Sequence, residues 1–126
     1  MERLRLLQFH YVQFTDECYN YLSKDLRWLC WHGFPLQSIP DNFYQGSLVA
    51  MDLRHSKLKL VWKNAKFLEE LKILNLSHSR SLTQTPDFSK LPNLEKLILK
   101  DCPSLSMVDE SIGSLNRLIL VTFKDL

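Results

Sequence analysis

The residues of this 126-residue chain best equipped for chemistry are its four histidines and three cysteines. Cys30 and His32 stand two apart, so on an extended strand both side chains project from one face, as the thiol and base of a nucleophilic pair would. Such a pair needs a partially exposed thiol and a third group that orients the imidazole. The neighbouring sequence offers no third group, so Cys30 is read as a small strand filler. His10 and His32 occupy one place in the repeat set out below, and His55 and His78 the next. Stacking of repeats could bring His55 and His78 within reach of one metal ion, but no carboxylate or thiol recurs beside them at a matching position. The preferred reading is that these polar residues cap strand ends on an exposed rim. Cys18, Cys30 and Cys102 are odd in number and include no CxxC pair, which supports neither a disulfide framework nor a four-ligand zinc site and fits a reducing compartment. The expectation is therefore no catalytic residue, no metal and no cofactor.

What positions these residues is a repeat. The blocks read Leu4-x-x-Leu7-x-Phe9, Leu26-x-x-Leu29-x-Trp31, Leu48-x-x-Met51-x-Leu53, Leu71-x-x-Leu74-x-Leu76, Leu94-x-x-Leu97-x-Leu99 and Leu118-x-x-Val121-x-Phe123. Their first positions are 22, 22, 23, 23 and 24 residues apart, and each is leucine. Fourth and sixth positions share one face of a strand and point inward. A single repeat cannot bury that face alone, so successive coils stack and their strands form one parallel sheet with about 4.8 Å between neighbours. A second apolar set, Leu36, Ile39, Leu58, Val61, Leu82, Leu105 and Val108, seals the return side, while Phe43, Phe67, Phe88 and Ile112 are expected to wedge between coils on the convex side. Turn chemistry separates the sets at Pro40-Asp41-Asn42, Pro86-Asp87 and Pro92-Asn93, and Gly113 is placed to end a short helical turn begun at Asp109. This spacing predicts an α/β leucine-rich-repeat solenoid: an open horseshoe with one parallel concave sheet and convex loops or short helical turns. One domain over residues 1–126 is expected, with repeats starting at 4, 26, 48, 71, 94 and 118 and the last truncated.

The ninth position of such repeats normally carries Asn or Cys, whose side chain satisfies backbone groups where the coil leaves the sheet. Here it reads Val12, Phe34, Ser56, Ser79, Cys102 and Leu126. Cys102 fits fully and the serines in part, so the ladder is expected to be irregular and the horseshoe loosest at its N-terminal coils. Third, fifth and seventh positions face the concave side. They give Trp28, Cys30 and His32; Ala50, Asp52 and Arg54; Ile73, Asn75 and Ser77; and Lys96, Ile98 and Lys100. An aromatic anchor amid mixed charge is the make-up of a protein-binding surface. The candidate contacts are Trp28, His32, Asp52, Arg54, Asn75, Lys96 and Lys100. For Trp28 an equal alternative is packing along the sheet against Leu6 and Ala50.

Sixteen basic and fourteen acidic residues leave a net charge of +2, too little for a phosphate-backbone footprint, so no nucleic-acid partner is expected. Apolar runs fall far short of the roughly 20 residues that cross a bilayer, so no membrane partner is expected either.

The stretch Leu26-Arg27-Trp28-Leu29-Cys30-Trp31-His32-Gly33-Phe34-Pro35, followed by Ile39-Pro40, is specific beyond the generic repeat. So are Leu71-Lys72-Ile73-Leu74-Asn75-Leu76-Ser77-His78-Ser79, Thr85-Pro86-Asp87-Phe88-Ser89 and Leu91-Pro92-Asn93-Leu94-Glu95. Together they resemble the start of the repeat domain of plant intracellular immune receptors of the Toll-like, nucleotide-binding, leucine-rich-repeat class, the N-like disease resistance proteins. The resemblance implies a non-catalytic interaction module in defence, cytoplasmic or nuclear, whose partners are a pathogen effector or a guarded host protein and the nucleotide-binding domain of its own receptor. A free-standing or truncated leucine-rich-repeat adaptor or decoy, without a nucleotide-binding switch, is the alternative. The missing polar caps at both ends favour a fragment or a truncated gene product. The chain has no GxxxxGK[ST] phosphate loop, and its only glycines are Gly33, Gly46 and Gly113. Titration calorimetry of the chain with ADP-Mg is expected to give a flat trace, and a micromolar site would show this reading to be mistaken.

Overall fold

The computed structural model describes residues 5–15, 18, 25–42, 46–64 and 66–123. Six strands run through them: β1 (Leu6–His10), β2 (Trp28–His32), β3 (Ala50–Asp52), β4 (Ile73–Asn75), β5 (Lys96–Leu99) and β6 (Leu120–Phe123). They form one sheet in the order β1-β2-β3-β4-β5-β6, every pair parallel. Leu7, Leu29, Met51, Leu74, Leu97 and Val121 are successive partners across it, so the fourth positions of the repeat lie in one row. The fold is the expected solenoid.

The in-register row follows from burial. Leu29, Met51, Leu74 and Leu97 are at most 1% exposed, and the sixth positions Trp31, Leu53, Leu76 and Leu99 are equally enclosed. A slip of one residue in any strand would turn this apolar row outward and carry the concave row into the core. Hydrogen bonds extend the pairing beyond the strands. The second-position N–H of each coil donates to the second-position carbonyl of the coil before it, as in Val49 to Arg27 (2.7 Å), Lys72 to Val49 (2.8 Å) and Glu95 to Lys72 (2.8 Å). A further set joins the return side, including Ile39 N–H to the Val61 carbonyl (2.8 Å) and Thr83 N–H to the Lys59 carbonyl (3.0 Å).

The coil leaves the sheet through a left-handed residue at the eighth position: Tyr11, Gly33, His55, His78 and Asp101 have φ of 56°, 75°, 59°, 61° and 53°. This conformation brings the backbone N–H round to the next coil. Tyr11, Gly33, His55 and His78 donate to the seventh-position carbonyls of His32, Arg54, Ser77 and Lys100 at 2.7 to 2.9 Å. Glycine enters this region without cost, and His and Asp are among the side chains found there more often than most. The eighth-position histidines thus have a backbone reason for their place. One step on, Ser56 and Ser79 hydroxyls meet at 2.6 Å, Ser79 Oγ donates to the Leu53 carbonyl (3.5 Å), and Cys102 Sγ donates to the Leu76 carbonyl (3.3 Å). In the N-terminal coils the ninth-position Phe34 packs instead, its ring edge-on to Trp31 at 5.0 Å beside Phe14, which stacks on Trp31 at 5.6 Å.

Several expectations need correction. Phe67 is 61% exposed and does not wedge between coils; its neighbour Leu68, 3% exposed, is the one buried in the core, and the Leu68 N–H donates to the Lys90 carbonyl (2.9 Å). Val108 lies 43% exposed beside Met107, with no later coil among the described residues to cover the return side there. Gly113 sits inside the 3-10 helix Glu110–Ser114, not beyond its end, and Leu115 is the C-terminal cap. Asp109 and Asp87 accept from Ser111 and Ser89 N–H groups and so cap this helix and the 3-10 helix Phe88–Lys90. Phe88 is fully buried and Ile112 packs against the core as expected. Leu4, Phe43 and Leu126 lie outside the described residues.

Truncation of Leu74 or Leu97, both 0% exposed, to Ala is expected to cost about 2–5 kcal/mol, from lost transfer energy and the cavity left behind. Exposed Lys100→Ala should cost under about 0.5 kcal/mol. Equal shifts in thermal midpoint for core and surface variants would refute the register. Gly33→Ala is expected to destabilise by about 1–3 kcal/mol, since the new methyl would carry a positive φ and lie 2.4 Å from Tyr11 Cδ1. Chemical denaturation of this variant at unchanged slope checks it.

Candidate functional site

The parallel register decides what the concave face assembles. Cys30 and Asp52 are both fifth-position residues and are direct partners between β2 and β3. His32 follows two residues after Cys30 on the same face. As a result three donor atoms converge: His32 Nε2 lies 3.3 Å from Cys30 Sγ and 3.3 Å from Asp52 Oδ2, and Sγ lies 3.9 Å from the same Oδ2. Arg54, two residues beyond Asp52, grips the carboxylate from the other side, Nε donating to Oδ1 (3.0 Å) and Nη2 to Oδ2 (2.9 Å). The cluster lines a cavity of about 290 Å³ together with Leu6, Gln8, His10 and Trp28. His10 stands edge-on to His32 with ring centroids 4.8 Å apart.

Asp52 thus supplies the third group that the sequence beside Cys30 and His32 lacks, since it arrives from the next coil. The constellation is nevertheless not a nucleophilic relay. In such a relay the base uses one ring nitrogen for the nucleophile and the other for the carboxylate, whereas here thiol and carboxylate meet the same Nε2. Burial, with the negative Asp52 beside it, raises the Cys30 thiol above its ordinary value, and the opposing pull of Arg54 does not offset this. A thiol held protonated is a poor nucleophile. Burial also pushes the Asp52 carboxyl up, but hydrogen bonds from Arg54 and His32, with their charges, outweigh it and hold the group below the usual carboxylate range. Asp52 is therefore an anion at neutral pH.

The remaining concave residues divide. Trp28 is 50% exposed at the mouth of the cavity, next to Leu6, its partner across the sheet. Asn75 turns its Oδ1 onto the Ser77 N–H (3.1 Å), which spends that acceptor on its own strand end. Lys96 and Lys100 are exposed on the β5 coil, two strands from the cluster. On the rim, His55 and His78 stack at 4.7 Å, and His78 Nδ1 and Arg80 Nη2 both reach Asp101 Oδ2 at 3.0 Å. A carboxylate does stand beside this histidine pair, contrary to expectation, because Asp101 is the eighth-position residue of the next coil. Both the Asp52 and the Asp101 contacts were findable by aligning equivalent positions of neighbouring repeats.

The register and the eighth-position turn define a leucine-rich-repeat solenoid, and the comparisons narrow the class. No protein-family model matches the chain. It is 43% identical over 101 residues, 80% of its length, to the disease resistance protein RPV1 of Vitis rotundifolia, and 35% identical over 125 residues, 99% of its length, to the TMV resistance protein N of Nicotiana glutinosa. It is also 37% identical over 102 residues, 81% of its length, to the disease resistance protein RPS6 of Arabidopsis thaliana. The chain is a leucine-rich-repeat segment related to plant disease resistance proteins, and the resemblance carried by its tryptophan-rich second repeat holds. It spans 7, 11 and 9% of the lengths of these relatives. No helix among the described residues is long and apolar enough to cross a membrane.

Proposed function

We propose that this segment is a non-catalytic protein-interaction module of a plant immune receptor, working in the cytoplasm or nucleus. Its concave face contributes to perception of a pathogen effector or a guarded host protein, and the same face meets the receptor's own nucleotide-binding domain, a contact that helps hold that receptor off. The observation that carries the reading is Trp28, half exposed beside the Arg54–Asp52 pair at the mouth of a concave cavity. Exposed Trp and Arg on a rigid sheet are the residues that most often dominate interface energies, because they bring large contact area and forked hydrogen bonding at little entropic cost. Lys96 and Lys100, with His32 and Asn75, extend the face along the solenoid axis as a polar margin.

Binding of the chain to the nucleotide-binding domain of a receptor that carries this segment, followed by titration calorimetry, tests the proposal. Trp28→Ala is expected to weaken that binding by about 2 kcal/mol or more, and Lys100→Ala by less than about 1 kcal/mol, the contrast between an anchor and its margin. Both variants should keep the wild-type thermal midpoint. Full binding by Trp28→Ala would move the interface off the concave face.

A further inference from the structure

Cys30, His32 and Asp52 bring one sulfur, one nitrogen and one carboxylate oxygen to a single point: His32 Nε2 lies 3.3 Å from Cys30 Sγ and 3.3 Å from Asp52 Oδ2, and Sγ lies 3.9 Å from the same Oδ2. Protons can link these atoms as hydrogen bonds, and a single cation bonded to all three can take the place of those protons.

We propose that Cys30 Sγ, His32 Nε2 and Asp52 Oδ2 form a three-ligand site for a thiophilic divalent cation, zinc foremost, with a fourth position open to the concave cavity. The geometry fits that ion. Bonds of about 2.3 Å to sulfur and about 2.0–2.2 Å to nitrogen and oxygen, at tetrahedral angles, separate the ligand atoms by roughly 3.4–3.6 Å. The observed edges of 3.3, 3.3 and 3.9 Å bracket this span, and the three atoms lie within 4.8 Å of one another. The ligands are rigidly placed, since two sit on β2 and the third on its hydrogen-bonded neighbour β3. Arg54 orients the carboxylate as outer-shell partners of metal ligands commonly do. A mixed sulfur, nitrogen and oxygen donor set with an open position suits zinc over the oxygen-seeking calcium and magnesium. Charge balances as well: the thiol proton passes to solvent when the ion enters, and thiolate and carboxylate together match the two positive charges. The fourth ligand is water in the isolated chain, and it faces the space bordered by His10 and Trp28.

The site is independent of which protein the concave face meets. The test is addition of cobalt(II) or zinc chloride alone to the full 126-residue chain in non-thiol reductant. One cobalt per chain is expected, with thiolate-to-cobalt charge-transfer absorption in the near ultraviolet, and zinc should displace it. Cys30→Ser should abolish the band, and His32→Ala and Asp52→Asn should each weaken zinc binding at least about 10-fold, while Cys18→Ser and Cys102→Ser leave both unchanged. Should Cys30→Ser fail to fold by circular dichroism, alkylation of the wild type decides: zinc is expected to slow modification of Cys30 at least about 10-fold and leave Cys18 and Cys102 unaffected. A flat titration, a charge-transfer band that survives Cys30→Ser in a folded chain, or alkylation of Cys30 indifferent to zinc overturns the proposal.

Discussion

Every feature of this molecule depends on parallel pairing between equivalent positions of successive coils. Leu74 is enclosed because Met51 and Leu97 flank it in the same row, and each of those depends in turn on the next. The backbone hydrogen bonds that hold the row in register are each worth only about 0.5–1.5 kcal/mol net. They act together, however, and burial of the leucine row makes any slip cost far more than one bond. Stability in such an array is a sum of coils and of the contacts between neighbours.

Much of this was legible in the sequence because the signal is a period. The leucine of each first position and the alternation at the fourth and sixth state both the strand and its inward face, and the sheet order follows from chain order alone. Where the fold departed from expectation, the sequence carried two adjacent candidates of similar chemistry. Phe67 and Leu68 are both apolar and adjacent, and the sequence does not say which of the two the path of the coil turns inward; it is Leu68. The left-handed eighth position was less readable, since a single glycine, Gly33, stood in a column otherwise filled by Tyr, His and Asp. His55 and His78 invited a chemical reading when the backbone had already given them a reason to be there.

The concave cluster was hidden for a different cause. On their own strand Cys30 and His32 have no carboxylate beside them. Read across repeats, Asp52 is the next member of the fifth-position column, and Arg54 follows His32 in the seventh. Chemistry in a stacked fold is assembled between coils, so its constellations run perpendicular to the sequence. The same perpendicular reading links His78 to Asp101 on the rim.

The register has one more consequence. Coil lengths differ, at 22 to 24 residues, yet the strands stay aligned, so the surplus is absorbed on the convex and return sides. The concave face is therefore a raster, with rows spaced by the sheet and columns by the two-residue pleat. Each outward side chain can be exchanged at its own node without moving the buried row beneath it. Recognition written on such a lattice can be respelled one node at a time while the page stays flat beneath it.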